Sequence, residues 1–332
     1  MGRRLLVVAL AFTAAALAAC GSTAGSAPAA GTTAPSLSQP APASPAISSA
    51  QSTAPGGAAP NDESVIPSVA TERTVWVPAG DHRVPGSLTL PALAAGQQVP
   101  AVLLLHGDLS SRDENGDLFG RLADALSERG IGSLRIDFAG SGESEQPDLA
   151  LDYPSMVADA TASLHYLETN PSIDPARIAV LGQSRGGSIA ATVAGTVPGV
   201  DALVSWSGAV ANGYEEDPDA HQDARENGYV AVDFGDDDSE FKLSLAWFDT
   251  ILESHPLDDV AGYTGPVLAV VGSDDDIVPP EISEIFLETV ASADTTLHTI
   301  DGADHGFTSD AEYGDEAIAV TTEWLVTRFH LP

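Results

Sequence analysis

Ile178-Ala179-Val180-Leu181-Gly182-Gln183-Ser184-Arg185-Gly186 is the stretch on which the fold turns. Its first four residues are all apolar, as in a strand covered on both faces, and 186–194 continues as a helix of small and apolar residues. Between them lies G-x-S-x-G. A serine on so tight a strand-to-helix turn stands at the carboxyl edge of a sheet, and both glycines are needed because a Cβ there would collide with neighbouring backbone. The following helix aims its first N–H groups at the same point.

Working outward, the same alternation of strand and helix fills the chain on both sides. Residues 74–77 and 87–90 read as an opening hairpin, and Ala101-Val102-Leu103-Leu104-Leu105 as a strand buried on both faces that ends at Gly107. Phe119, Leu122 and Leu126 share a helix face that stops at Gly130; 131–138 is the next strand. Val157, Ala160, Leu164 and Leu167 mark a second helix by their spacing. After the serine turn come strands at 202–206, 266–271 and 295–300, with helices at 281–290 and 317–329. The pattern predicts an α/β fold: a mostly parallel, twisted sheet with helices on both faces.

One segment, about 208–264, is too long for a connection and crowded with acidic residues, among them Glu215, Glu216, Asp217, Asp219, Asp233, Asp236, Asp237, Asp238 and Glu240. A solvated insertion is one reading. An acidic cap over the sheet edge is the other, because Tyr214, Tyr229, Phe234, Trp247 and Phe248 would be out of place in an idle surface loop.

A serine hydroxyl needs a base to take its proton and a third group to orient that base. Candidates lie downstream in Gly272-Ser273-Asp274-Asp275-Asp276-Ile277-Val278-Pro279 and Gly302-Ala303-Asp304-His305-Gly306-Phe307. Each follows a strand, so both fall where ligands bind in open α/β sheets. Spacing leaves Asp274, Asp275 and Asp276 open as the orienting acid. His106 reads as a loop-shaping residue, and Trp206 as either a pocket wall or core packing.

The chain from about Val75 onward resembles the α/β-hydrolases, in which the order Ser, Asp, His is the rule. More narrowly, Leu105-His106-Gly107, the block Arg135-Ile136-Asp137-Phe138-Ala139-Gly140-Ser141-Gly142-Glu143-Ser144 and the block from Ile300 to Phe307 resemble the feruloyl (cinnamoyl) esterases and related dienelactone-hydrolase-like proteins. The resemblance implies hydrolysis of a small-molecule carboxylic ester through an acyl-enzyme, with no metal and no organic cofactor. It implies Ser184 as nucleophile, His305 as general base and then acid, and Asp275 as orienting acid, three residues before the Val278-Pro279 pair. It implies an oxyanion hole made by the backbone N–H groups of Arg185 and Asp108.

Three residues depart from the family pattern. Asp108 stands where an apolar or aromatic residue is usual, so its carboxylate either turns away to a cation, Arg112 or Arg185, or weakens the hole. Gln183 stands where His is common, which bears on packing. Ser184, in place of the cysteine of true dienelactone hydrolases, disfavours that particular activity. Two other classes share the motifs or the fold: a peptidase or amidase of the prolyl-oligopeptidase type, and a surface binding protein that has lost activity, which only Asp108 suggests.

Composition narrows the partners. With 13 Lys+Arg against 48 Asp+Glu the net charge is −35, and the only lysine is Lys242, which excludes nucleic-acid binding by phosphate neutralisation. The only cysteine, Cys20, follows Arg3-Arg4 and an apolar or small run over 5–19. A helix of that length, about 22 Å, falls short of a hydrocarbon core about 30 Å thick, so 1–20 reads as an export signal. Leu17-Ala18-Ala19-Cys20 resembles a bacterial lipobox, which implies acylation of Cys20 and a lipid anchor on the outer face of the cell membrane, or else secretion. Residues 21–66, dominated by Ala, Ser, Pro, Gly and Thr, read as a disordered linker, and 67–332 as one hydrolase domain.

Overall fold

The computed structural model describes residues 70–331 apart from 95, 212–217 and 234–239; the expected signal, Cys20 and linker lie outside the described residues, as do Tyr214, Phe234 and several acidic residues of the insertion. Eight strands form the main sheet: β1 (Thr71–Ala79), β2 (His82–Leu90), β3 (Val99–Leu105), β4 (Gly132–Ile136), β5 (Ile173–Gln183), β6 (Ala202–Trp206), β9 (Val267–Gly272) and β10 (Thr295–Ile300). Their order is β1-β2-β4-β3-β5-β6-β9-β10. Only β1 and β2 run antiparallel to their neighbours; every pairing from β4 to β10 is parallel. The remaining strands, β7 (Tyr229–Asp233) and β8 (Glu240–Ser244), make a separate hairpin.

Side chains of β3 alternate between two cores, as a period of two requires. Leu103 and Leu105 join Val180 and the helices α2 (Tyr153–Glu168), α3 (Arg185–Thr196) and α7 (Pro280–Thr289) on one face. Val102 and Leu104 join α1 (Leu118–Glu128) and α8 (Ala311–Arg328) on the other. Trp206 belongs to this second core. Its ring is fully buried, lies 5.9 Å from both Phe119 and Phe307, and donates its indole N–H to Thr321 Oγ1 at 2.9 Å, which settles it as packing and removes it from any pocket wall.

The long insertion carries its own elements. After β6 come α4 (Pro218–Asn227), the β7–β8 hairpin, α5 (Leu245–Leu252) and the short α6 (Pro256–Val260). Ser244 caps α5 by accepting from Trp247 N at 3.0 Å. The helix α5 is tied to the body where Tyr153 N donates to Thr250 Oγ1 at 3.1 Å. The closing helix starts at Ala311, six residues ahead of the apolar pattern, because Asp310 caps it and its first turns face solvent with Glu312 and Asp315.

Strand order places the functional edge. The chain steps from β3 to β4 on one side and then returns to add β5 on the other, so the loops leaving β3 and β5 diverge at a topological switch point. There the start of α3 is pressed against the end of β3. A Cβ on Gly186 would stand 2.0 Å from Leu105 O, and one on Gly182 would stand 1.9 Å from Gly186 O. Gly186→Ala is therefore expected to cost at least about 3 kcal/mol, read by urea unfolding. Gly262→Ala, with no atom within 4 Å of its Cβ, should stay within about 0.5 kcal/mol of the parent.

Candidate active site

Ser184 sits at φ 51°, ψ −119°, a conformation that an L-residue adopts at a cost of about 1–3 kcal/mol. Neighbouring backbone holds it there. Ser184 N donates to Trp206 O at 2.9 Å, while Ser184 O accepts from Gly187 N and Ala209 N, both at 2.9 Å. The amides of a helix's first turn point out along its axis, and Arg185 is the first residue of α3.

The loops that follow β9 and β10, neighbours in the sheet, bring Asp275 and His305 together. Both carboxylate oxygens of Asp275 lie 3.0 Å from His305 Nδ1, and both residues are buried. Asp275 is in turn fixed by its own loop, because its Oδ1 accepts from Ile277 N at 3.1 Å and Val278 N at 2.8 Å. Asp276 is exposed, and Asp274 faces Ser273 Oγ at 3.1 Å. Of the three aspartates left open by spacing, the loop turns Asp275 inward. Gln183, next to Ser184, donates its amide to His305 O at 3.3 Å, which ties the His305 loop to the serine turn.

The loop after β3 supplies the other side of the site. Gly107 lies so close to the serine turn that a Cβ on it would stand 3.2 Å from Ser184 Cβ. His106 accepts from Phe138 N on Nε2 at 3.2 Å, so its proton is on Nδ1, which donates to Gly107 O at 2.6 Å. Burial lowers the pKa of His106, opposed in part by the Gly107 carbonyl, and the neutral ring shapes the loop. Further along, Asp137 Oδ1 accepts from Arg112 N at 2.7 Å, and its Oδ2 accepts from Arg112 Nη1 at 2.8 Å and Glu143 N at 3.0 Å. The block around Asp137 thereby anchors the far end of the His106–Arg112 loop.

Asp108 turns its carboxylate to Arg185, whose Nε donates to Asp108 Oδ2 at 3.0 Å; Arg112 is engaged elsewhere, by Asp137 and Glu143. Its other oxygen accepts from the Trp247 indole N–H at 3.3 Å, so helix α5 of the insertion reaches the loop itself. Among the described residues no three His, Cys, Asp or Glu side chains converge as a metal-binding group.

Sequence reasoning missed Glu114. It stands in the acidic run Asp113-Glu114-Asn115-Gly116-Asp117, which reads as a solvated loop, yet its side chain is buried and accepts from Gly107 N at 3.0 Å. Its backbone lies at a φ of 58°, invisible in the sequence. Burial raises its pKa from 4.5 to about 7, against the lowering effects of the Gly107 amide, Ser110 and His305. The folded protein thus holds a proton on Glu114 that the unfolded chain releases near pH 4.5, so the contribution of Glu114 to stability falls as pH rises from about 4.5 to about 7 and levels off above. Glu114→Gln keeps an acceptor for Gly107 N and should flatten that slope. At pH 8 urea unfolding should show the variant more stable by up to about 3 kcal/mol, with little difference near pH 4.5.

Known proteins place this geometry in context. Residues 149–329, more than half of the chain, match the dienelactone hydrolase family. An uncharacterized protein of Mycobacterium tuberculosis is 29% identical over 241 residues, covering 71% of this chain and 72% of its own. Est1E from Butyrivibrio proteoclasticus, solved with ferulic acid bound, superposes with a TM-score of 0.63 at 21% identity over 77% of this chain and 99% of its own. Dienelactone hydrolase from Anabaena variabilis gives 0.55 at 22% identity, over 78% and 98%. The match extends from the 3-10 turn before α2 to the end of α8 and takes in Ser184, Asp275 and His305, and the chain therefore belongs to the dienelactone hydrolase family, a hydrolase of the α/β-hydrolase fold that acts on esters.

Proposed function

We propose that the protein is a serine carboxylesterase that cleaves small, uncharged esters through an acyl-enzyme. The observation that carries this reading is the buried pair in which both oxygens of Asp275 meet His305 Nδ1 at 3.0 Å, on a loop that Gln183 ties to the turn of Ser184. Ser184 Oγ attacks the carbonyl carbon as His305 Nε2 takes its proton. The imidazolium that forms keeps its Nδ1–H on Asp275, which fixes the ring orientation and stabilises the charge. The amides of Arg185 and Asp108 receive the oxyanion. Collapse of the tetrahedral adduct breaks the bond to the alkoxy oxygen, which leaves with the proton from His305 Nε2. Water then repeats the sequence on the acyl-enzyme and releases the acid.

Two features bear on the substrate. A net charge of −35 repels anionic esters. The likeness to Est1E with ferulic acid bound favours aryl and hydroxycinnamoyl esters as the first compounds to try. A matched ester and anilide separate this activity from that of a peptidase, which would turn over the anilide comparably.

The export signal and lipid anchor at Cys20 belong to the same proposal. Acylated there, the enzyme is held at the outer face of the cell membrane, within reach of esters arriving from outside.

The purified full-length chain should hydrolyse a short-chain aryl ester and be labelled stoichiometrically by a fluorophosphonate at Ser184. Ser184→Ala should lower turnover at least about a thousandfold and abolish labelling, and unchanged turnover would refute the assignment. In bacteria fed an alkyne-tagged fatty acid, the wild-type chain should carry the tag and sediment with membranes, whereas Cys20→Ala should do neither.

A further inference from the structure

The two residues whose amides are assigned to the oxyanion also touch through their side chains, and a third side chain from the insertion closes a ring with them. Arg185 Nε meets Asp108 Oδ2 at 3.0 Å, Trp247 Nε1 meets Asp108 Oδ1 at 3.3 Å, and the Arg185 guanidinium carbon lies 5.9 Å from the centroid of the Trp247 ring. All three contacts are sheltered, with side-chain exposures of 2% for Arg185 and 13% for Asp108, and Trp247 buried. Shielded from water, a charge-assisted hydrogen bond and a cation–π contact hold geometry far better than they would at the surface.

We propose that Asp108, Arg185 and Trp247 form a clasp that fixes the spacing of the two oxyanion amides and ties it to the seating of the insertion. The Asp108–Arg185 pair joins the loop after β3 to the first residue of α3, the two elements that diverge at the switch point. From below, Glu114 and Asp137 hold the same loop at Gly107 N and Arg112 N. From above, Trp247 fills the second oxygen of Asp108 and covers the guanidinium, so the carboxylate is spent on partners and does not face the developing oxyanion. Oxyanion donors act through a few tenths of an ångström, and a donor displaced by about 1 Å forfeits most of its effect. Trp247 is thus a positioning residue, acting on the reaction through Asp108, although no motif of the sequence contains it.

The clasp rests on the esterase reading, and one set of measurements separates the two. Phenylboronic acid, which forms a tetrahedral adduct with a nucleophilic serine, is the probe for the oxyanion site. Trp247→Phe keeps an aromatic ring and loses the indole N–H together with one ring of the bicycle. It should lower kcat by about tenfold, change KM by less than about twofold and weaken phenylboronic acid by the same factor as kcat, while the cavity it leaves lowers the thermal midpoint by only about 2–4 °C. In an Asp108→Ala background the same substitution should cost nothing further, because the partner through which it acts is gone. Asp108→Asn, which keeps the shape, should lower kcat and boronate affinity together and supplies the Asp108 arm if Asp108→Ala does not fold. An unchanged kcat in Trp247→Phe, an equal loss in both backgrounds, or an Asp108→Asn variant that binds the boronate like wild type would overturn the clasp alone. A wild-type chain that neither turns over an ester nor binds the boronate would overturn the esterase reading and the clasp with it.

Discussion

Everything at the sheet edge depends on how closely the start of α3 is pressed against the end of β3. A Cβ on Gly186 would stand 2.0 Å from Leu105 O, and one on Gly182 would meet Gly186 O at 1.9 Å, so only glycine lets the helix begin where it does. That approach forces Ser184 into its strained turn and sets the first amides of α3 beside the loop that leaves β3. The strain is offset by the backbone hydrogen bonds on either side of Ser184 and by the two cores that grip β3 and β5. The rigid contact therefore comes first, and the chemistry is mounted on it.

Around that contact the site is assembled from loops that belong to different strands. Loops carry hydrogen bonds of their own, Asp275 with the amides of Ile277 and Val278 and Glu114 with Gly107 N, and the loop after β4 holds the His106 loop through Phe138 and Asp137. Links between loops include Asp275 to His305, Gln183 to the His305 carbonyl, Asp274 N to the Ala303 carbonyl and Asp108 to Arg185. Such a site is preorganised by local turns and aligned by a handful of long-range contacts. From the insertion, Trp247 reaches Asp108 and Ala209 N donates to Ser184 O.

Much of this was legible in the sequence, for reasons that can be named. Strands buried on both faces leave unbroken apolar runs, as at Ala101 to Leu105, and a helix with one buried face leaves a spacing of three and four, as at Val157 to Leu167. The serine turn announces itself because sterics admit glycine alone at two fixed positions. The acidic insertion betrayed itself by aromatics that solvent would not favour, and Trp247, one of them, is the residue that reaches Asp108. Glu114 left no such trace. A carboxylate among other acids reads as solvated, and which of them turns inward depends on a contact outside the run, here with Gly107 N.

What the sequence by itself determined is thus the strands and helices of the main sheet, their order and the candidates for the reactive side chains, since propensity, periodicity and steric exclusion act over a few neighbouring residues. What only the tertiary structure decided is which of Asp274, Asp275 and Asp276 meets His305, which arginine takes Asp108, where Trp206 packs and that Glu114 is buried. Those outcomes depend on distances between loops far apart along the chain. Such distances are set by the stacking and twist of the whole sheet, which no local pattern encodes.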